Sequence, residues 1–334
     1  MTIAVGRPPD HIVPSINPDG DLGTPARDGP ASVGTVGYGR GSGGDMARTL
    51  RLGARTFAPG ELVVMAIVNR TPDSFFDRGA TYAADSALRA VERAVAEGAE
   101  IIDIGGVKAG PGDEVDVAEE IRRTVDTIAA VRSAFPDVVI SIDTWRAEVA
   151  VEAVAAGADL LNDTWSGADP ALARVAAETG AGLVCSHAGG LTPRTRPHRA
   201  AFDDVVADVL TTVTGLADRA VALGVRADGI LIDPAHDFGK NTRHSLEITR
   251  RLDELAGTGW PLLVALSNKD FVGETLDLPV AERLEGTLAA TAVSAWLGAR
   301  VFRAHQVRQT RRVLDMVASI RGDRPPTLTR RGLA

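Results

Sequence analysis

The chain has 334 residues, 45% of them apolar and 24% charged, with a formal net charge of -8 at neutral pH. A chain of this size can bury one large core or two ordinary ones, and its acidic balance excludes a general polyanion binder, because nucleic acid is gripped mainly by clustered Lys and Arg. The one cysteine, Cys185, has no partner for an internal disulfide, so nothing points to a secreted stapled fold and the cytoplasm is the expected location.

A bilayer-spanning helix needs about 18 consecutive apolar residues, and no run reaches that length. The N-terminus also lacks the basic-then-apolar pattern of a signal peptide. Residues 1–45 are roughly one-third Gly plus Pro and end in "GYGRGSGGD", a composition that buries too little apolar surface to offset ordering entropy. Residues 1–50 are therefore expected to be a disordered extension, 58–322 a folded barrel and 323–334 a tail. Met46, just before the first sequence of folded character, is a candidate translation start.

From residue 61 the chain alternates short β-branched runs with longer amphipathic or Ala-rich stretches. In chain order the predicted strands are "ELVVMAIVN", "EIIDIG", "DVVISID", "ADLLND", "AGLVCSH", "GILID", "PLLVAL" and "ARVFRAH". The predicted helices lie around 83–98, 114–134, 146–156, 170–179, 203–223, 243–256, 280–298 and 306–320. Several end in a Gly suited to a left-handed helix terminus, as in "AVAEGAE", "AVAAGAD" and "AWLGAR", each followed by the next strand. Eight βα units over about 260 residues predict a closed TIM (β/α)8 barrel. An open doubly wound sheet is the alternative, disfavoured because no GxGxxG follows the first strand.

A barrel of this kind builds its site at the C-terminal ends of its strands, and every predicted strand here ends in polar residues. They are Asn69; Asp103 with Gly105 and Gly106; Asp143; Asn162 and Asp163; Ser186 and His187; Asp233; Ser267, Asn268 and Lys269; and Arg303 and His305. A single Asp in such a place serves as well as a helix N-cap. Eight polar strand ends exceed what capping needs. His187 alone reads as a structural histidine, whereas Arg303 and His305, two apart on one strand, share a face. Scattered histidines, no HExxH and no paired Cys make a tight zinc site improbable. Asn69 is the one metal candidate, sharing magnesium with a substrate phosphate.

The segments "MAIVNRTPDSFFDRGATY", "SIDTWRAEVA", "LNDTWSG", "LIDPAHDFGK", "LSNKDFVGE" and "VFRAHQV", in this order and spacing, resemble the dihydropteroate synthase family over about residues 61–320. In particular they resemble the divergent second copy of that enzyme found in some actinobacteria. The resemblance implies a TIM barrel, a homodimer, Mg2+, and condensation of a dihydropterin pyrophosphate with 4-aminobenzoate. Pyrophosphate leaves first, and the amine attacks the resulting pterin cation. It also implies that Asp143, Asn162, Asp233 and Lys269 bind the pterin, that Phe238 lines its site, and that Asn69, Arg303 and His305 hold pyrophosphate and magnesium.

The departures from the family pattern fall elsewhere. Where the family reads "GGESTRPG", this chain has Val107, Lys108, Ala109 and Gly110, and so loses a hydroxyl and a guanidinium. "SRK" becomes "SNK" at Asn268, "DPGFGFGK" becomes "DPAHDFGK" with His236 and Asp237, and the Asp after the last His becomes Gln306. Arg194, Arg196 and Arg199 in "TPRTRPHR" can compensate over the mouth or form a solvated loop. Trp145 and Trp165 can stack on a flat ligand or cover helix ends. The pattern points to a synthase-like pterin-binding protein whose ordinary synthase activity is weak or lost. The alternatives are an active synthase, a pterin-dependent transferase with another acceptor, and a non-catalytic regulatory homologue.

Overall fold

The computed structural model describes residues 48–71, 84–195 and 201–331. The Gly-rich segment with Met46, the stretch 72–83, and Arg196 and Arg199 lie outside the described residues. Two short strands, β1 (Leu50–Leu52) and β2 (Arg55–Phe57), pair as an antiparallel hairpin. Eight more follow: β3 (Val63–Asn69), β4 (Ile101–Gly105), β5 (Val139–Asp143), β6 (Leu160–Asp163), β7 (Gly182–Ser186), β8 (Ile230–Asp233), β9 (Leu263–Ala265) and β10 (Val301–Ala304). They form one parallel sheet in the order β8-β7-β6-β5-β4-β3-β10-β9. A parallel bridge between Ile232 and Leu262, with Ile232 N–H donating to the Pro261 carbonyl at 3.0 Å, joins its two ends. The sheet is the (β/α)8 barrel that the alternating pattern predicts, and not the open doubly wound sheet.

Among the described residues ten α-helices accompany the strands: α1 (Ala84–Ala96), α2 (Val117–Ala134), α3 (Ala147–Ala155), α4 (Leu172–Thr179), α5 (Val205–Ala222), α6 (Thr242–Arg250), α7 (Leu252–Ala256), α8 (Asp270–Leu276), α9 (Leu284–Trp296) and α10 (Val307–Arg321). Local chemistry sets their ends. The Asp116 carboxylate accepts the Glu119 N–H at 2.8 Å to start α2, and Asp204 accepts the Val206 and Ala207 N–H groups to start α5. Gly98, Gly157 and Gly298 leave their helices at φ of 99, 114 and 106°, as the helix-Gly-strand repeat predicts. The segment predicted as one helix over 243–256 is two, α6 and α7, broken at Arg251. Among the described residues no helix is long and apolar enough to cross a membrane.

Two apolar cores result. The larger lies between the outer faces of the strands and the helices and includes Ile102, Ile140, Leu161 and Ile232. The smaller fills the N-terminal half of the barrel with inward-facing Val63, Met65, Ile101, Val139, Leu160, Leu231 and Val301, together with Leu50, Leu52 and Phe57. The hairpin precedes residue 58, where the sequence reading began the barrel, yet its three apolar side chains are fully buried in that core. It plugs the N-terminal end. A Cβ on Gly182 would lie 2.5 Å from Leu52 Cδ2 and 2.8 Å from the Gly229 carbonyl, so the start of β7 is kept bare to admit the plug.

Leu52→Ala is expected to lower unfolding stability by about 3 kcal/mol, as for a buried Leu whose site cannot collapse. Urea denaturation checks this. A loss close to zero would mean that the hairpin is not part of the cooperative barrel.

Candidate functional site

Side chains alternate along a strand, so each inward position two residues beyond the apolar core faces the upper barrel. Ile101 is followed by Asp103, Val139 by Ser141 and Asp143, Leu160 by Asn162, Leu231 by Asp233, and Val301 by Arg303. The apolar plug thus gives way to a polar layer. Arg303 holds it together: its Nε donates to Asp103 Oδ2 at 2.6 Å and its Nη2 to Asp143 Oδ2 at 2.7 Å. Asp103, fully buried, also accepts Ser141 Oγ at 2.6 Å and Asn162 Nδ2 at 3.2 Å. The sequence reading noted Asp103 only as a strand-end acid; the structure makes it the hub. The available signal was an acid at an inward position of the apolar run "EIIDIG".

One guanidinium faces several acids. Removal from water raises the Asp143 carboxyl to about 7; Arg303 pulls it down, while Asp103, Glu120 and Asp163 push it up. Burial also raises Asp233, against the Ala235 N–H and the charges of Lys269, Lys240 and Arg303. Burial opposes the charge on Arg303, but Asp103 and Asp143 outweigh it and its pKa rises. Among the described residues Asn162 Oδ1 is a buried acceptor with no hydrogen-bond partner, and Asp233, also buried, accepts the Ala235 N–H on Oδ1 at 2.7 Å. Buried acceptors of this kind are uncommon without a ligand or water.

The loop after β8 adds a flat apolar wall. Phe238 meets Trp165 edge-on at 5.4 Å, and Trp165 meets Trp145 in the same way at 6.5 Å. Trp165 is buried, so this indole supports Phe238 and does not present an open face. Lys269 Nζ lies 4.5 Å above the Phe238 ring and donates to the His236 carbonyl; burial lowers its pKa. Lys240, another group the sequence reading left out, donates to the carbonyls of His187, Ala235 and Phe238 at 3.0, 3.1 and 2.8 Å. It ties the loops after β7 and β8 together.

At the positions that depart from the family pattern, the structure shows new contacts. Ala235 and Asp237 stand where the pattern has glycine and keep left-handed φ values of 49 and 69°. Asp237 is held there by Ser245 Oγ at 3.0 Å and by the Phe271 N–H at 3.2 Å. Gln306 Oε1 accepts Ser267 Oγ at 3.0 Å and Asn268 Nδ2 at 3.4 Å, so the two replaced positions touch each other. Beyond β4, Arg194 Nε reaches the Gly110 carbonyl at 3.4 Å, bringing a guanidinium from the β7 loop to the place where the family loop carries its own. Asn69 ends β3 and His305 directly follows β10 on the same rim, with the His305 N–H donating to Ser267 Oγ at 3.2 Å.

The model of pterin binding enzymes matches residues 65–305 of this sequence. The chain belongs to the pterin binding enzyme family. Within that family it is 62% identical, over 84% of its length and 98% of the relative's, to inactive dihydropteroate synthase 2 of Mycobacterium leprae. It is 38% identical, over 76% of its length and 87% of the relative's, to dihydropteroate synthase of Bacillus subtilis. Its fold matches the sulfonamide drug complex of Yersinia pestis dihydropteroate synthase with a TM-score of 0.78 and 35% identity, covering 83% of this chain and all (100%) of that one. The pterin-binding barrel expected from the sequence motifs is thus the fold and family found.

His236 gives a pH test. It is fully buried, its Nε2 donates to Thr249 Oγ1 at 3.1 Å, its Nδ1 has no partner, and burial sets its pKa well below the usual histidine value. The unfolded chain takes up a proton near pH 6.5 and the folded chain does not, so stability from the neutral ring is present above that pH and is lost as pH falls. His236→Phe, the residue of the family pattern, is expected to lose less melting temperature between pH 7.5 and 5.5 than the parent. Equal losses would contradict a buried neutral imidazole.

Proposed function

We propose that the barrel mouth binds a dihydropterin edge-on and that the protein has weak or no ordinary dihydropteroate synthase activity. The observation that carries the first part is the buried, unpartnered Asn162 Oδ1 in one polar layer with the buried carboxylate of Asp233. The amino-pyrimidine edge of a pterin offers adjacent N–H donors, and a carboxylate accepts two such bonds side by side. Phe238 lines the flat face, Lys269 supplies a donor to the ring's carbonyl edge, and Asp143 orients Arg303.

The pyrophosphate belongs at the rim formed by Asn69, Arg303 and His305. Arg303 spends Nε and Nη2 on Asp103 and Asp143, which leaves Nη1 for an anion. Among the described residues no group of three or more His, Cys, Asp or Glu side chains is placed to hold a metal. That donor set fits magnesium bound through the neutral oxygen of Asn69, the substrate phosphates and water, a common arrangement for this ion. Bound there, magnesium would neutralise charge on the leaving pyrophosphate. The protein's own part is to hold the pterin ring and present a cation to the anion.

The second part rests on the acceptor side. The loop Val107–Gly110 has no hydroxyl or guanidinium, and Asn268 and Gln306 form a neutral amide pair. The 62% identical relative is itself named an inactive synthase. Incubated with Mg2+, dihydropterin pyrophosphate and labelled 4-aminobenzoate, the protein is expected to bind the pterin and release no condensed product. Turnover near 1 per second or faster, an ordinary enzyme rate, would overturn the inactive reading. Failure to bind the pterin pyrophosphate would overturn the site assignment.

A second copy of the chain is the expected partner. Val293 and Trp296 on α9, and Met316 and Ile320 on α10, are exposed apolar side chains at one-turn spacing on neighbouring helices, with Trp296 59% and Met316 60% exposed. Exposed apolar side chains brought together in this way are what a protein–protein contact covers. Trp296→Arg combined with Met316→Glu is expected to halve the mass measured by analytical ultracentrifugation. A monomeric parent, or a double variant of unchanged dimeric mass, would contradict the interface.

A further inference from the structure

A second cavity lies outside the barrel, between α4, α5 and the outer faces of β6 and β7, and shares only Asp163 with the surroundings of the mouth described above. Its volume is about 190 Å3, and its walls are mainly apolar, built by Leu172, Leu183, Cys185, Leu216 and Leu223. Native interiors are packed nearly as densely as organic crystals, and a void of about 150 Å3 is enough to take up benzene. The space here is a cleft open to solvent on the Arg219 and Leu223 side, and its volume is large enough for a ligand of that size.

Its polar end is not uniform. Asp163 is engaged on both oxygens, accepting the Trp165 N–H at 2.8 Å and the Gly167 N–H at 2.6 Å. Asp169 is engaged likewise by the N–H groups of Ala147 at 2.8 Å and Ala171 at 2.9 Å. Both carboxylates keep their charge but are held by backbone N–H donors that offset it and shape the turn Trp165–Asp169, whose Ser166 and Gly167 both have left-handed φ, 61 and 73°. Arg219 also lines the cavity, and among the described residues its guanidinium makes no hydrogen bond or ion pair. One unspent cation at the edge of an apolar, ring-sized space is complementary to one kind of molecule.

We propose that this cavity binds a small monocarboxylate with an apolar body of about the size of a benzene ring, its carboxylate on Arg219 and its body among Leu172, Leu183, Leu216 and Leu223. The site is separate from the pterin mouth but touches its support. The turn that forms its polar end carries Trp165, which packs against Phe238. Occupancy would brace that turn.

Methyl-resolved NMR of the full chain, labelled at Leu and Val and titrated with benzoate, tests this. Shifts are expected at Leu172, Leu183, Leu216 and Leu223. Arg219→Met, an exposed position whose loss does not threaten folding, should weaken benzoate at least about tenfold, the loss of one charge-assisted hydrogen bond, while leaving benzamide unchanged. Ala173→Phe, which fills the cavity, should abolish the shifts. No shift at these leucines at millimolar benzoate, shifts confined to the barrel mouth, or unchanged benzoate affinity in Arg219→Met would each overturn the proposal. Pterin binding measured on the same variants is expected to persist, so a failure here is distinguishable from a failure of the mouth assignment.

Discussion

Arg303 inside the barrel, bridging Asp103 and Asp143, is the contact on which the upper half of the molecule depends. It fixes three strands, β10, β4 and β5, at one height, and it is worth keeping only if each partner is fully hydrogen-bonded, since a buried pair gains little from attraction alone. Ser141 and Asn162 complete Asp103. Removing the guanidinium would leave two carboxylates facing each other in a poorly hydrated space. The layer is therefore rigid before any ligand arrives, which is what edge-on recognition requires.

Below that layer the barrel is an apolar plug, and above it the loops divide into two parts with different chemistry. The loop after β8 preserves a glycine-type backbone with Ala235 and Asp237 in place, and Asp237 offsets the strain with two hydrogen bonds. The acceptor side has exchanged charged groups for neutral ones that satisfy each other, Asn268 with Gln306. Such paired contacts describe a remodelled surface, stable in itself. The Asn268–Gln306 pair presents no charge of its own, while Arg194 reaches the loop after β4 from the other side.

Much of this was legible in the chain. Eight β-branched runs became eight barrel strands, and the polar strand ends Asp143, Asn162, Asp233 and Arg303 stood out at the mouth. The hairpin was not legible, because three-residue strands next to a Gly-rich segment carry no period to read. Helix α8 is seven residues long and was hidden for the same reason. The role of Asp103 depends on Arg303, 200 positions away, and no local pattern reveals such a contact. The pairing of Asn268 with Gln306 likewise exists only after the barrel closes.

The central claim is that a buried carboxylate in this layer reads the pterin edge, and calorimetric titration of a reduced pterin into the parent and Asp233→Asn tests it most directly. The amide keeps the shape and removes the charge and one acceptor. The account predicts that affinity falls at least about tenfold, the cost of a charge-assisted hydrogen bond, with folding unchanged. Equal affinity in the two proteins would contradict it.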